Sequence, residues 1–245
     1  MFLKAAINGG RTRDENPGVP VTVEQIARDS AQAFVSGANI VHAHARTADG
    51  GQTIHPDDIG EMVRAVRAAN PQVIIGTTTG LWTCSGHEER MRLVAAWPED
   101  ALPDFASVAY SEEGAAETAE LILEKGMVLE SAVWSMDDVP ALLASSTLHQ
   151  NVRILIEPED EDPDVAVAAC RTIAAHLREN GVTAPLLYHG YDQTTWPVIQ
   201  AAIEDGVETR IGYEDVLLMP NGEPAEDNAA MIAATLAMAL EHSRS

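Results

Sequence analysis

The amino-acid sequence predicts an α/β chain folded as one (β/α)8 TIM barrel, a single catalytic domain over residues 1–245. Three observations predict it. Short β-rich runs alternate with amphipathic helical patterns from end to end, the runs number eight, and 245 residues is an ordinary length for one such barrel. An open doubly wound sheet usually shows fewer units, and no break in composition marks a second domain.

The first strand is expected within Phe2 to Asn8. Thr22-Val-Glu-Gln25 then forms a capping box, which opens a helix that Gly37 closes. Asn39 to Arg46 is the second strand run, and Pro56-Asp57-Asp58 starts a helix that ends before Pro71. The later runs are Val73 to Thr79, Asp104 to Tyr110, Met127 to Ser135, Val152 to Glu157, Pro185 to His189 and Thr209 to Glu214. Gly126, Gly181 and Gly206 each stand between a helical pattern and a strand, as the αβ loop of a repeating unit requires. The acidic stretch Glu157-Pro-Glu-Asp-Glu-Asp-Pro163 reads as an irregular loop, and Asp227 to Glu241, rich in Ala, Met and Leu, as the last helix.

Composition narrows the partners. Fifteen Lys+Arg against 38 Asp+Glu give a formal charge of −23, with 46% hydrophobic residues. So acidic a chain repels nucleic-acid phosphates and anionic membrane surfaces, and no basic stripe offsets this. No run approaches the ~20 apolar residues of a membrane span, and the N-terminus lacks the apolar stretch of a signal peptide, so the expected location is cytoplasmic. Cys84 and Cys170 stand far apart, which leaves neither a disulfide framework nor a cysteine zinc motif. A metal must therefore be held by histidines and carboxylates.

Barrel chemistry sits at the C-terminal ends of the strands. The polar residues there are Asn8, His42, His44, Arg46, Thr78, Thr79, Ser107, Glu130, Glu157, His189 and Glu214. Strand period two puts His42, His44 and Arg46 on one face of their strand. Two neutral imidazoles so placed can share one divalent ion, at about 2.0–2.1 Å each for zinc; the alternative is a pair of hydrogen-bonded core histidines. A third ligand, preferably a carboxylate, is offered by Thr209-Arg-Ile-Gly-Tyr-Glu-Asp215, where Arg210, Gly212 and Glu214 share a face. Arg210 suits a substrate carboxylate, or an ion pair with Glu214. His189 suits donation to a substrate or a structural contact, and Trp82 follows Gly80 at the mouth and can line the pocket.

These residues resemble the β-keto acid cleavage enzyme family. The likeness runs through Ala5-Ala-Ile-Asn-Gly9, Pro17-Gly-Val-Pro-Val-Thr22-Val-Glu-Gln25, Gly37-Ala-Asn-Ile-Val-His-Ala-His-Ala-Arg46, Thr78-Thr-Gly80, Arg210-Ile-Gly-Tyr-Glu-Asp215 and Ala225-Glu-Asp-Asn228. The resemblance implies a TIM barrel that binds Zn2+ or another divalent metal and assembles as a homo-oligomer, a dimer or tetramer. It also implies a reaction in which a β-keto acid and the co-substrate acetyl-CoA give acetoacetate and a new CoA ester. Carried over by motif, the metal ligands are His42, His44 and Glu214, Asp215 takes part in the proton chemistry, and Arg210 binds the substrate carboxylate. Thr78, Thr79, Ser107, Arg46, Arg11 and Glu130 are the substrate-binding candidates. Strict alternation would put Asp215 on the opposite face from Glu214, so the strand must end before both can serve.

This chain also departs from the family pattern. Arg11 stands after Gly-Gly where relatives acting on amino-bearing keto acids carry an acidic residue, which points to an anionic or polar substrate side group. Val216 replaces the usual Asn after Glu-Asp, and the acidic Glu157–Asp162 loop stands where relatives carry a Gly-rich loop that meets CoA. The mouth is expected to gather Arg11, Arg46, Arg210 and a metal ion into a locally cationic pocket. Two further readings share these residues: a metal-dependent aldolase or lyase that needs no acetyl-CoA, and a non-catalytic barrel that only binds.

Overall fold

Eight parallel strands close on themselves in chain order in the computed structural model, which describes residues 1–244. They are β1 (Leu3–Ala6), β2 (Ile40–His42), β3 (Ile75–Thr78), β4 (Phe105–Ala109), β5 (Val128–Val133), β6 (Asn151–Ile156), β7 (Leu186–Tyr188) and β8 (Glu208–Ile211). The barrel closes where β1 meets β8, with Lys4 beside Arg210 and Ala5 beside Ile211. The outer layer holds α1 (Val23–Val35), α2 (Pro56–Ala69), α3 (His87–Ala95), α4 (Ala115–Glu124), α5 (Val139–Leu143), α6 (Pro163–Glu179), α7 (Thr195–Asp205) and α8 (Asn228–His242).

Six of the predicted runs contain their strands, whereas β6 and β8 each begin one residue before the predicted run, at Asn151 and Glu208, and every strand except β6 is shorter than its run. The polar residues that end the runs, among them His44, Thr79, Glu157, His189 and Glu214, lie just past the strand ends, and of these His44, Glu157, His189 and Glu214 line the cavity at the mouth. The capping box forms in both directions: Thr22 Oγ1 accepts from Gln25 N at 3.3 Å and Gln25 Oε1 accepts from Thr22 N at 3.1 Å. Gly206 ends α7 in the left-handed conformation, φ 67°, which a Cβ would strain.

The apolar core lies between strands and helices, with Ile26, Ile59, Met62, Ile122, Leu177 and Ile232 fully buried. The barrel interior is polar by contrast. Lys4 Nζ lies 2.5 Å from Glu130 Oε2, Glu130 also pairs with Arg153, and Arg153 Nε lies 2.5 Å from Glu208 Oε2. The Arg153 guanidinium stacks over Phe2 at 4.3 Å. Such charges are tolerated inside only because each has a partner. Glu130 is thereby corrected as a substrate contact: it is fully buried, and its two oxygens are taken by Lys4 and Arg153.

Candidate active site

The mouth is built first from β1 and β2. Asn8, just past β1, accepts from His44 N at 2.9 Å and donates to His44 O at 3.0 Å, so one side chain clamps the backbone that carries His44. His42 and His44 are 2% and 4% exposed, with their Nε2 atoms 3.0 Å apart. Glu214 completes the group: its Oε1 is 3.6 Å from His44 Nε2 and its Oε2 3.7 Å from His42 Nε2. Gly9, at φ 46°, makes room for it, since a Cβ there would lie 2.2 Å from Glu214 Cγ.

The electrostatics suit a cation. Burial is the largest cause holding both imidazoles below their ordinary pKa, His42 far below it, so both are neutral and keep a lone pair. Burial works against charge on Glu214, yet Arg210, His44 and His42 hold its carboxyl well below the ordinary range. Gln52 Oε1 lies 2.5 Å from His44 Nδ1. An amide oxygen can only accept, so the proton belongs on Nδ1 and Nε2 is left free. His42 Nδ1 and Glu214 Oε2 are buried without a hydrogen-bond partner. One ligand atom from each of His42, His44 and Glu214 lies within 4.8 Å of the others, a donor set of two imidazoles and a carboxylate that fits a divalent ion.

Behind Glu214 the chain has already left the sheet. Beyond Ile211, Asp215 N bonds to Gly212 O at 2.9 Å, and the turn brings Asp215 round to the same side as Glu214. A Cβ on Gly212 would lie 1.9 Å from Ala6 O, so only glycine permits this approach. Arg210 pairs with both acids: its Nη2 is 2.7 Å from Glu214 Oε1 and 2.6 Å from Asp215 Oδ1. The ion-pair alternative for Arg210 is therefore present, and it includes Asp215 as well. Burial disfavours the guanidinium's charge, but Asp215, Glu214 and Glu157 raise its pKa further.

His189, just after β7, lies between two carboxylates, with Nε2 2.9 Å from Asp215 Oδ1 and Nδ1 3.1 Å from Glu157 Oε1. Burial and Arg210 lower its pKa, but Asp215 and Glu157 outweigh them and the net shift is upward. Burial likewise opposes charge on Glu157, yet His189, Arg210 and Lys4 hold its carboxyl at about 2.

His42, His44, Glu157, His189, Arg210 and Glu214 line a cavity of about 530 Å³ whose walls include Thr78, Ser107, Trp82 and Trp134, with Asp215 fully buried behind Arg210 and Glu214. Thr79 lies beside it and spends its hydroxyl on Ser107 O at 2.7 Å. Arg46 braces loops instead of lining the cavity, donating to Gly9 O, to Arg11 O at 2.8 Å and to Gly50 O at 2.9 Å. Arg11 pairs with Asp192 and with Glu15, at 3.2 Å, and stacks on Tyr191 at 4.4 Å. The expected cationic mouth is thus corrected. Among the described lining residues Arg210 is the one Lys or Arg, against Glu157, Glu159, Asp160, Glu161, Asp192 and Glu214.

The family model described as beta-keto acid cleavage enzyme matches residues 1–245. The chain belongs to that family. A 3-keto-5-aminohexanoate cleavage enzyme of Acetoanaerobium sticklandii is 28% identical over 261 residues, covering 100% of this chain and 93% of the relative. A 3-oxoadipate:acetyl-CoA acetyltransferase of Cupriavidus necator is 32% identical over 109 residues, 44% of this chain and 36% of that protein. Among solved structures, apo ObcA superposes with a TM-score of 0.76 at 15% identity over 93% of this chain, which spans 63% of the ObcA chain and so a little under two thirds of it. That likeness speaks for the barrel alone. Within the family motifs, sequence reasoning found the His pair, Arg210 and the Glu-Asp pair, but missed Gln52 and Asp192, which lie in an isolated bridge and a short 3-10 turn where no periodicity marks them.

Proposed function

We propose that this β-keto acid cleavage enzyme exchanges acyl groups between a β-keto acid and acetyl-CoA, releasing acetoacetate and a new CoA ester. The observation that carries the proposal is the joining of the His42–His44–Glu214 group to Asp215 through Arg210, with Glu214 and Asp215 both within 2.7 Å of one guanidinium nitrogen. A divalent ion held by His42, His44 and Glu214, zinc being the one we favour, would supply Lewis acidity to the substrate's keto and carboxylate oxygens. Asp215 removes a proton from the carbon between those two groups. Its Oδ1 is engaged by Arg210 and His189, whereas its buried Oδ2 has no partner and is the oxygen free to take the proton. The carbanion attacks the acetyl thioester and expels CoA thiolate; the thiolate then attacks the substrate's original keto carbon, the bond from that carbon to the former α-carbon breaks, and the released carbanion takes back the proton held by Asp215, giving acetoacetate and the new CoA ester. Thr78 and Ser107 present hydroxyls to the substrate's oxygens.

The acidic rim changes the expected side group. Arg11 already has its counter-charges, so the distal end of the substrate meets carboxylates, and a neutral or cationic group is favoured over an anionic one. One observation favours the lyase alternative: Glu159, Asp160 and Glu161 line the mouth by which CoA phosphates must approach. Incubating metal-loaded protein with dicarboxylic, neutral and amino-bearing β-keto acids, with and without acetyl-CoA, decides between them. Acetoacetate formed only with acetyl-CoA is expected. Cleavage without acetyl-CoA marks a lyase, and turnover of no acid under either condition overturns the catalytic reading.

A further inference from the structure

We propose that Glu157 is a positioning residue that acts through His189 to fix the Asp215 carboxylate for proton removal. This rests on the reading of Asp215 as the proton-abstracting group. Glu157, His189 and Asp215 come from three neighbouring parts of the barrel, just past β6, just past β7 and in the turn beyond β8. The first two are tied to the sheet by their own backbones: Glu157 N bonds to Val133 O at 2.9 Å and His189 N to Ile156 O at 3.0 Å. Their side chains therefore leave from rigid strand ends rather than from mobile loops, which suits a precise site.

The side chains then form a line. Trp134 Nε1, just past β5, donates to Glu157 Oε2 at 3.1 Å and so fixes one carboxylate oxygen. The other oxygen, Oε1, lies 3.1 Å from His189 Nδ1, and the far nitrogen of that ring lies 2.9 Å from Asp215 Oδ1. Arg210 reaches the same Oδ1. Arg210 donates to this oxygen and the His189 ring lies against it, so the two together set the rotation of the carboxylate and leave Oδ2 unpartnered. An imidazole has a soft second torsion, so without Glu157 at its outer nitrogen the ring is free to turn and release Asp215. Glu157 itself contacts none of the reacting atoms in this scheme; its effect on them passes through the ring.

The test uses the full-length, metal-loaded protein and reads two quantities: exchange of the β-keto acid's α-protons with deuterated water in the absence of acetyl-CoA, and kcat and KM in the complete reaction. E157Q is expected to lower both exchange and kcat by about 10- to 100-fold, the cost of a misplaced catalytic group. KM for the keto acid and bound metal per chain should stay at their wild-type values. H189Q should lose as much, and the E157Q/H189Q double variant no more than H189Q alone, because the two residues act in series. W134F, which takes the indole N–H from Glu157 and also trims the cavity wall, should show a smaller loss of exchange in the same direction, and it serves if E157Q fails to fold. Wild-type exchange in E157Q, a raised KM at unchanged kcat, or multiplying losses in the double variant would each overturn the proposal. D215N separates the two levels. If D215N abolishes exchange while E157Q does not lower it, the positioning role fails and the function stands; if D215N exchanges at the wild-type rate, the proton-abstraction reading fails and the positioning role with it.

Discussion

Single atoms at this mouth carry distinct duties, and His44 shows it best. Its Nδ1 faces Gln52 Oε1 at 2.5 Å, so the ring is held in the tautomer that offers Nε2 toward Glu214 and His42. Outer partners of this kind typically contribute 10- to 100-fold in metal affinity. Gln52→Ala is therefore expected to weaken binding of an added divalent ion by about that factor in a competition titration with a chromogenic chelator, while His42→Ala abolishes stoichiometric binding. Unchanged affinity in Gln52→Ala would show that the ring needs no outer partner. His42 and His44 were legible in the sequence because strand periodicity alone places alternate residues on one face. Gln52 was not, because it reaches the site through a short antiparallel bridge with Arg46 that no periodicity announces. Arg11 was misread for a related reason: a sequence displays a charge but not its counter-charge, and Asp192 lies 181 residues away.

At the scale of elements, local signals were strong wherever a helix boundary depends on its own neighbours. Thr22 and Gln25, Asp227 at the start of α8 and Gly206 at the end of α7 all act where the sequence placed them. The fifth helix was less legible: it is the single turn Val139–Leu143, too short for helical periodicity to show. The truncation of Thr22→Ala should cost about 1 kcal/mol in denaturant unfolding, the usual worth of a cap. A longer-range link joins α1 to α8, where Asn228 Nδ2 donates to Asp29. Burial, with Asp227 adding to it and Asn228 opposing, pushes the Asp29 carboxyl up from 3.8 to about 6. A carboxyl with a raised folded-state pKa favours the fold while protonated, so its stabilisation is complete below the unfolded value and is lost as pH rises toward the folded one. Wild-type stability should thus lose up to roughly 3 kcal/mol from this group between about pH 4 and pH 6. Asp29→Asn should remove that part of the slope; an identical pH profile in the variant would refute the assignment.

For the molecule as a whole, the formal charge of −23 has a kinetic consequence because the acidity reaches the mouth itself. The carboxylates of Glu159, Asp160 and Glu161 line the entrance, and Arg210, the one basic lining residue described, lies paired with Glu214 and Asp215. Acetyl-CoA carries several phosphate charges, so it approaches against both the global field and a local rim. Exposed charges act over about 30 Å at 0.01 M salt but only about 8 Å at 0.15 M. Added salt should therefore help this enzyme bind acetyl-CoA, the reverse of what a basic cofactor groove would show. KM for acetyl-CoA is expected to fall several-fold between those ionic strengths, with KM for the less highly charged β-keto acid changing less. The double variant Asp160→Asn, Glu161→Gln should lower KM at low salt and flatten its salt dependence. Should KM for acetyl-CoA instead rise with salt, the phosphates must be meeting basic side chains outside the cavity, and the acidic rim would then face only the keto acid.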